Sequence, residues 1–294
     1  MNSTRTRLFE LSLRRSADAS QGRIVVVPPE RSNEDDLLLF HTQGYVDSVR
    51  DASDSGEGYL DFPDTPAFPG VYEASLYAVG SMLHGLGSIA SGAFDHFFNP
   101  VGGLHHAARD RAAGFCVFND AAIAIARVLR EGANKVAYVD IDAHHGDGVY
   151  YGFESDPRVI IADIHEEGRT LFPGTGDETE RGTGDAVGSK LNLPLRAGSG
   201  DREFAESFDR AYRFVEESRP EFIFLQCGAD GLECDPLSHL RYSAAAHRLA
   251  SKRLHELAHE LCGGRIVAMG GGGYSAENVD AAWSAVVGEL SSGG

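Results

Sequence analysis

The stretch VAYVDIDAHHGDG, residues 136–148, decides the fold. Its first half is continuously apolar, as a strand covered on both faces requires, and polar groups crowd its carboxyl end. The same grammar recurs along the chain. FFNPV (97–101), VIIADIH (159–165), KLNLPL (190–195), FIFLQCGAD (222–230) and IVAMGGGGY (266–274) read as further strands. Helix-like segments fall between several of them, at about 119–131, 201–218, 243–262 and 276–290. In the first of these, Ala121, Ile125, Val128 and Leu129 share one helical face. Alternation of this kind predicts an α/β fold with a parallel sheet flanked by helices.

Upstream, RIVVV (23–27) reads as a strand, Ser32–Asp35 as a capping box opening a helix, and residues 70–91 as a longer helix. The glycine-rich run 174–188 is too polar for the core and reads as a surface loop. With no repeat and no low-complexity linker, residues 1–294 are expected to form one domain.

Composition narrows the function. Apolar residues make up 42% and charged residues 24%, an ordinary balance for a chain with a real core. The net charge of −18 argues against nucleic acid as a partner and is compatible with cationic ones. No apolar run reaches the roughly 18 residues of a membrane span, and the first 15 residues carry no signal-peptide stretch. A cytoplasmic location without membrane contact is the expectation. The four cysteines form no CxxC pair and read as reduced thiols.

In open parallel sheets, ligands bind beyond the carboxyl ends of the strands. The polar groups that follow the apolar runs should therefore converge on one edge. Asp140, Asp142 and His144 share parity along an extended chain, so a carboxylate and an imidazole two residues apart can serve one zinc. Asp230 is the candidate third ligand, and three protein ligands leave the open position that a catalytic zinc needs. His105 and His106, in GGLHHA (102–107), have two spare carboxylates available in Asp140 and Asp147. Such His–Asp pairs fix the imidazole tautomer and provide a general base. Tyr274, directly after four glycines, is placed to donate a hydroxyl to an oxyanion.

GGLHHA, GFCVFND (114–120), VDIDAHHGDGV (139–149), FPGTG (172–176), QCGAD (226–230) and GGGGY (270–274) resemble, in order, the signature blocks of the histone deacetylase family. That family includes bacterial acetoin-utilization proteins and acetylpolyamine amidohydrolases within the arginase–deacetylase superfamily. The likeness covers about residues 40–290. It implies a three-layer α/β/α sandwich around an eight-stranded, mainly parallel sheet. It also implies zinc on Asp142, His144 and Asp230, with iron(II) or another divalent ion as substitute. His106 becomes the general base, paired to Asp147, with His105 on Asp140, and Tyr274 polarises the acetyl carbonyl. Phe115 and Phe172 match the walls of an acyl-lysine tunnel, with Gly114 beside it, Leu237 near its rim and Asp64 as the rim aspartate.

The resemblance further implies a structural K+ or Na+ near Asp140, Asp142 and His144, where Asp163 replaces the usual serine. The family's opening strand and pocket loop have no counterpart at the start of this chain, so a wide pocket mouth and homo-oligomerisation are expected. The implied substrate is an acetylated amine. Residues 51–100 contain no Lys or Arg, while Asp51, Asp54, Glu57, Asp61 and Asp64 lead to the rim, which favours a cationic one.

One competing motif is present. His255-Glu256-Leu257-Ala258-His259 is a literal HExxH on a predicted helix, the pattern of zinc peptidases. Arg248, Lys252, Arg253 and Glu260 around it suggest a solvated outer face, and no downstream third ligand accompanies it. Non-catalytic acyl binding is a further alternative, but it requires a missing ligand or a replaced tyrosine. Arginase-type ureohydrolysis requires carboxylates where His105 and His106 stand. His41, His84, His96, His239 and His247 read as structural.

Overall fold

A computed structural model describes residues 6–19 and 23–292. Its elements run α1 (Arg7–Ala19), α2 (Glu34–Leu37), α3 (Gln43–Ser55), β1 (Tyr59–Asp61), β2 (Thr65–Pro66), α4 (Val71–Ala90), β3 (His96–Asn99), α5 (Asp120–Arg130) and β4 (Val136–Asp140). There follow α6 (Asp147–Gly152), β5 (Val159–Glu166), β6 (Lys190–Leu195), α7 (Asp201–Ser218), β7 (Phe222–Gln226), α8 (Ala244–Leu261), β8 (Ile266–Met269) and α9 (Ala276–Leu290).

Six strands form the central sheet in the order β3-β8-β7-β4-β5-β6, and every pairing is parallel. Alternate strand residues feed two apolar layers. Ala137, Val139, Ile160, Ala162, Ile223 and Leu225 face α1, α7, α8 and α9. Val136, Tyr138, Val159, Ile161, Phe222 and Phe224 face α3, α4, α5 and α6. Covering on both faces is the reason the strands are apolar throughout rather than alternating. The result is the three-layer α/β/α sandwich.

Three readings need correction. Among the described residues the parallel sheet has six strands, fewer than the family's eight even without the opening strand that was expected to be missing; β1 and β2 pair antiparallel as a separate hairpin. Residues 23–27 make no strand. Val25 and Val26 are 56% and 47% exposed, and nothing packs over them to reward a ladder, however favourable their β-propensity. The capping box lies one residue later than expected. Asn33 Oδ1 accepts from Asp36 N at 3.1 Å and Asp36 Oδ2 accepts from Asn33 N at 3.1 Å.

Helix α1 escaped the sequence reading, yet it is part of the fold. Phe9 is buried edge-on against Phe98 and Trp283, at ring separations of 5.7 and 5.4 Å. No helix among the described residues is long and apolar enough to cross a membrane.

Candidate active site

Every strand of a parallel sheet ends at the same edge, and here that edge gathers the predicted site. Asp142 and His144 follow β4, and Asp230 follows β7. All three are buried, and one ligand atom from each lies within 4.8 Å of the others. His144 Nδ1 stands 3.1 Å from Asp142 Oδ1 and 3.0 Å from Asp230 Oδ2. Two carboxylates and one imidazole in a buried pocket form a donor set of net charge −2, which a divalent cation balances. The residues fit a metal centre. Burial disfavours a charged His144, but Asp230 and Asp142 overcome it and hold the imidazole well above its ordinary range. Proton and metal therefore compete for this nitrogen.

Neighbouring groups aim the ligands. Ala143 N donates to Asp230 Oδ1 at 2.9 Å. Gln226 Nε2 and Gly272 N donate to Asp142 Oδ2 at 2.9 and 2.8 Å. The glycine run is needed for close approach. A side chain at Gly272 would collide with the Asp230 carboxylate, and Gly271 has φ +115° with Gln226 against it.

Beside the ligands stand two His–Asp pairs. His105 Nδ1 donates to Asp140 Oδ2 and His106 Nδ1 to Asp147 Oδ1, each at 2.7 Å. An ionised carboxylate can only accept, so both rings turn Nε2 inward; the two Nε2 atoms are 3.1 Å apart. Burial, reinforced by His105, lowers His106 to about 4, which leaves it neutral and able to accept a proton. Burial also opposes charge on His105, but Asp140 and Asp142 outweigh it and raise the ring to about 10.

The pocket above is lined by Gly114, Phe115, His105, His106, the three ligands and Tyr274. Phe172 packs against the same site, with its ring 5.0 Å from His106 and 6.4 Å from His144. Phe115 has φ +66°, a left-handed backbone that is unusual for a bulky residue and typical of strained sites. Its N–H is held by Thr65 Oγ1 at 3.2 Å, which sets the β1–β2 hairpin, and Asp64 in its turn, beside the wall. Leu237 is 42% exposed and is tied to Tyr274 through Asp235. Asp235 accepts from Leu237 N at 3.0 Å and from Tyr274 N at 2.8 Å.

Asp163, where the family usually has a serine, is held by two neighbours. His165 Nδ1 donates to its Oδ1 at 2.7 Å and Gly146 N to its Oδ2 at 2.9 Å, so its charge already has a partner.

Sequence reasoning missed the supports. Asp120 accepts from Gly103 N at 3.0 Å and Leu104 N at 2.9 Å, and Asn119 Nδ2 donates to His105 O and Ala107 O at 3.2 and 2.9 Å. Together they clamp the loop carrying both histidines. Their signal was the ND ending GFCVFND at a helix N-terminus. Gln226 and Asp235 carried no periodic signal at all.

The chain matches the histone deacetylase domain over residues 1–290. It belongs to the histone deacetylase family. Among relatives, it is 41% identical to the acetoin utilization protein AcuC of Bacillus subtilis over 85% of this chain and 66% of that protein. It is 35% identical to a probable deacetylase of Archaeoglobus fulgidus over 87% of this chain and 70% of that one. The chain thus spans about two thirds of the length of these relatives. Among solved structures, the HD domain of HDA15 superposes with a TM-score of 0.89 at 28% identity, covering 98% of this chain and 81% of that one. A histone deacetylase homologue from Aquifex aeolicus gives 0.84 at 31% identity, over 95% of this chain and 76% of that one. The same scores hold for a histone deacetylase homologue complexed with SAHA. The family and the relatives' names both point to deacetylation.

Proposed function

We propose that this histone deacetylase family member is a zinc-dependent amidohydrolase that removes acetyl groups from amines. The observation that carries this reading is one pocket shared by three buried ligands, two His–Asp pairs and Tyr274. Asp142, His144 and Asp230 would hold a divalent ion, which would supply Lewis acidity to the acyl carbonyl and to a water.

The chain's own groups do the rest. Phe115 and Phe172 flank an apolar approach that holds an acyl chain and excludes bulk water. His106 takes the proton from the attacking water at Nε2, and Asp147 stabilises the imidazolium through Nδ1. His105, kept protonated by Asp140, offsets negative charge as it develops. Tyr274 donates its hydroxyl to the acyl oxygen as that atom becomes anionic. The proton held by the histidine pair then passes to the leaving amine.

Against the non-catalytic alternative, the candidate ligands, both histidines and Tyr274 line the same pocket. Zinc-loaded protein should release acetate from an acetylated amine; acetylated lysine peptides and acetylpolyamines are the first substrates to assay. Metal-loaded, folded protein that releases acetate from none of a broad acetylamine panel would reject the reading.

The substrate's charge follows from the rim. Asp54, Glu57 and Asp64 are exposed around the β1–β2 hairpin, and the residues lining the pocket include no lysine or arginine. A mouth of one sign concentrates cations, and salt weakens the effect. Of two acetylated amines equal in length, the cationic one is expected to show the higher kcat/KM at low salt, by about tenfold. The gap should shrink as salt rises and narrow in Asp54→Asn/Glu57→Gln protein. Equal rates that ignore salt would reject this electrostatic preference and leave the deacetylase reading untouched.

A further inference from the structure

A second group of imidazoles lies at the opposite edge of the sheet, where the strands begin. His96 opens β3, while His255 and His259 sit one turn apart on the same face of α8. The outer face expected for this HExxH segment is only partly right, because His255 is buried and meets His96. The third partner lies 159 residues upstream of His255, not downstream.

Three Nε2 atoms converge on one point. His96 and His255 are 2.9 Å apart, His96 and His259 3.2 Å, and His255 and His259 3.0 Å. The rings meet edge-on, at 87°, 84° and 74° to one another. Hydrogen bonding alone cannot satisfy this triangle. Each nitrogen carries either a proton or a lone pair, so among three mutual neighbours at least one contact pairs like with like. A cation at the centre makes all three lone pairs favourable.

The dimensions suit a transition metal. With metal–nitrogen bonds of about 2.0–2.1 Å, tetrahedral zinc holds its ligand nitrogens about 3.3–3.4 Å apart, so the triangle need open by only roughly a few tenths of an ångström. The Cβ of a side chain at Gly264 would stand 3.2 Å from the His259 ring, so the glycine keeps the cluster clear.

We propose that His96, His255 and His259 form a second metal site, for a borderline divalent ion such as zinc, which ties edge strand β3 to helix α8. Three neutral imidazoles favour zinc, nickel or copper over magnesium or calcium. His259 is exposed, so water completes the coordination. The peptidase role is not part of this assignment. The site's contribution is a cross-link between two elements that are remote in sequence, and acetate release depends on the other edge.

The test counts ions in metal-stripped protein reloaded with zinc and dialysed. Wild type is expected to hold two per chain and His259→Ala one, with deacetylase kcat/KM unchanged. Asp230→Asn should also hold one, and the double variant none. His96→Gln serves as a second probe should His259→Ala fold poorly. Zinc should raise the Tm of Asp230→Asn protein but not that of the double variant. Equal counts in folded wild type and His259→Ala overturn the second site. Were the deacetylase centre misassigned instead, Asp230→Asn would keep both ions while His259→Ala still lost one.

Discussion

Asp230→Asn is expected to abolish acetyl-amine hydrolysis and to release the ion held with Asp142 and His144. The variant separates charge from shape. An asparagine can still accept the 2.9 Å bond from Ala143 N, so no buried donor is orphaned. What disappears is one of the two carboxylates that balance a divalent ion, leaving one carboxylate and His144. Losing even a group that only supports a ligand typically costs 10–100-fold in metal affinity, and losing a ligand costs more. In the metal-free protein the sign reverses. Burial and the neighbouring Asp142 raise Asp230 above its ordinary carboxylate range, so replacing it relieves repulsion. Metal-free Asp230→Asn protein should therefore melt no lower than metal-free wild type, although the holoenzyme advantage is gone. Metal analysis that finds the Asp142–His144 centre fully loaded, or turnover near the wild-type rate, would contradict the ligand assignment.

The second large effect is expected at Tyr274. Tyr274→Phe should lower kcat by about 10²–10³, as loss of one oxyanion donor does, while KM stays within a few-fold. The ring remains on its wall, 6.1 Å from Phe115, and its backbone stays anchored to Asp235, so ground-state binding is largely kept. Only the contact that strengthens as the acyl oxygen becomes anionic is removed. His106→Ala should be at least as damaging, by about 10²–10⁴, because the attacking water loses its proton acceptor. Steady-state kinetics at saturating metal separates the cases. A large rise in KM with unchanged kcat in Tyr274→Phe would assign the hydroxyl to substrate binding rather than to the transition state.

Much of the deacetylase site was legible because a parallel sheet turns sequence pattern into position. Each apolar run had to be a strand covered on both faces, and each had to end at the same edge. VDIDAHHGDG, QCGAD and GGGGY therefore named residues that the fold brings together, with no need to know the strand order. That two acceptors, Asp140 and Asp147, stood near the two histidines was readable for the same reason, whereas which pairs with which was implied only by the family resemblance. The helices over 201–218 and 276–290 were equally determined by local periodicity.

Tertiary structure decided everything that depends on what covers a segment or meets it from afar. RIVVV has the composition of a strand, but exposed valines gain little from a ladder, so those residues form no strand while α1 packs through Phe9. Asp120, Asn119, Gln226 and Asp235 became essential only once chain reversals set loop backbones within hydrogen-bond reach. The imidazole cluster shows this most clearly. His255 and His259 advertised a metal by their spacing, whereas His96 looked like an isolated structural residue at the start of a short strand. Their meeting depends on where α8 lies across the edge of the sheet. That placement is set by the summed packing of the apolar layer, a long-range quantity that no local pattern in the sequence encodes.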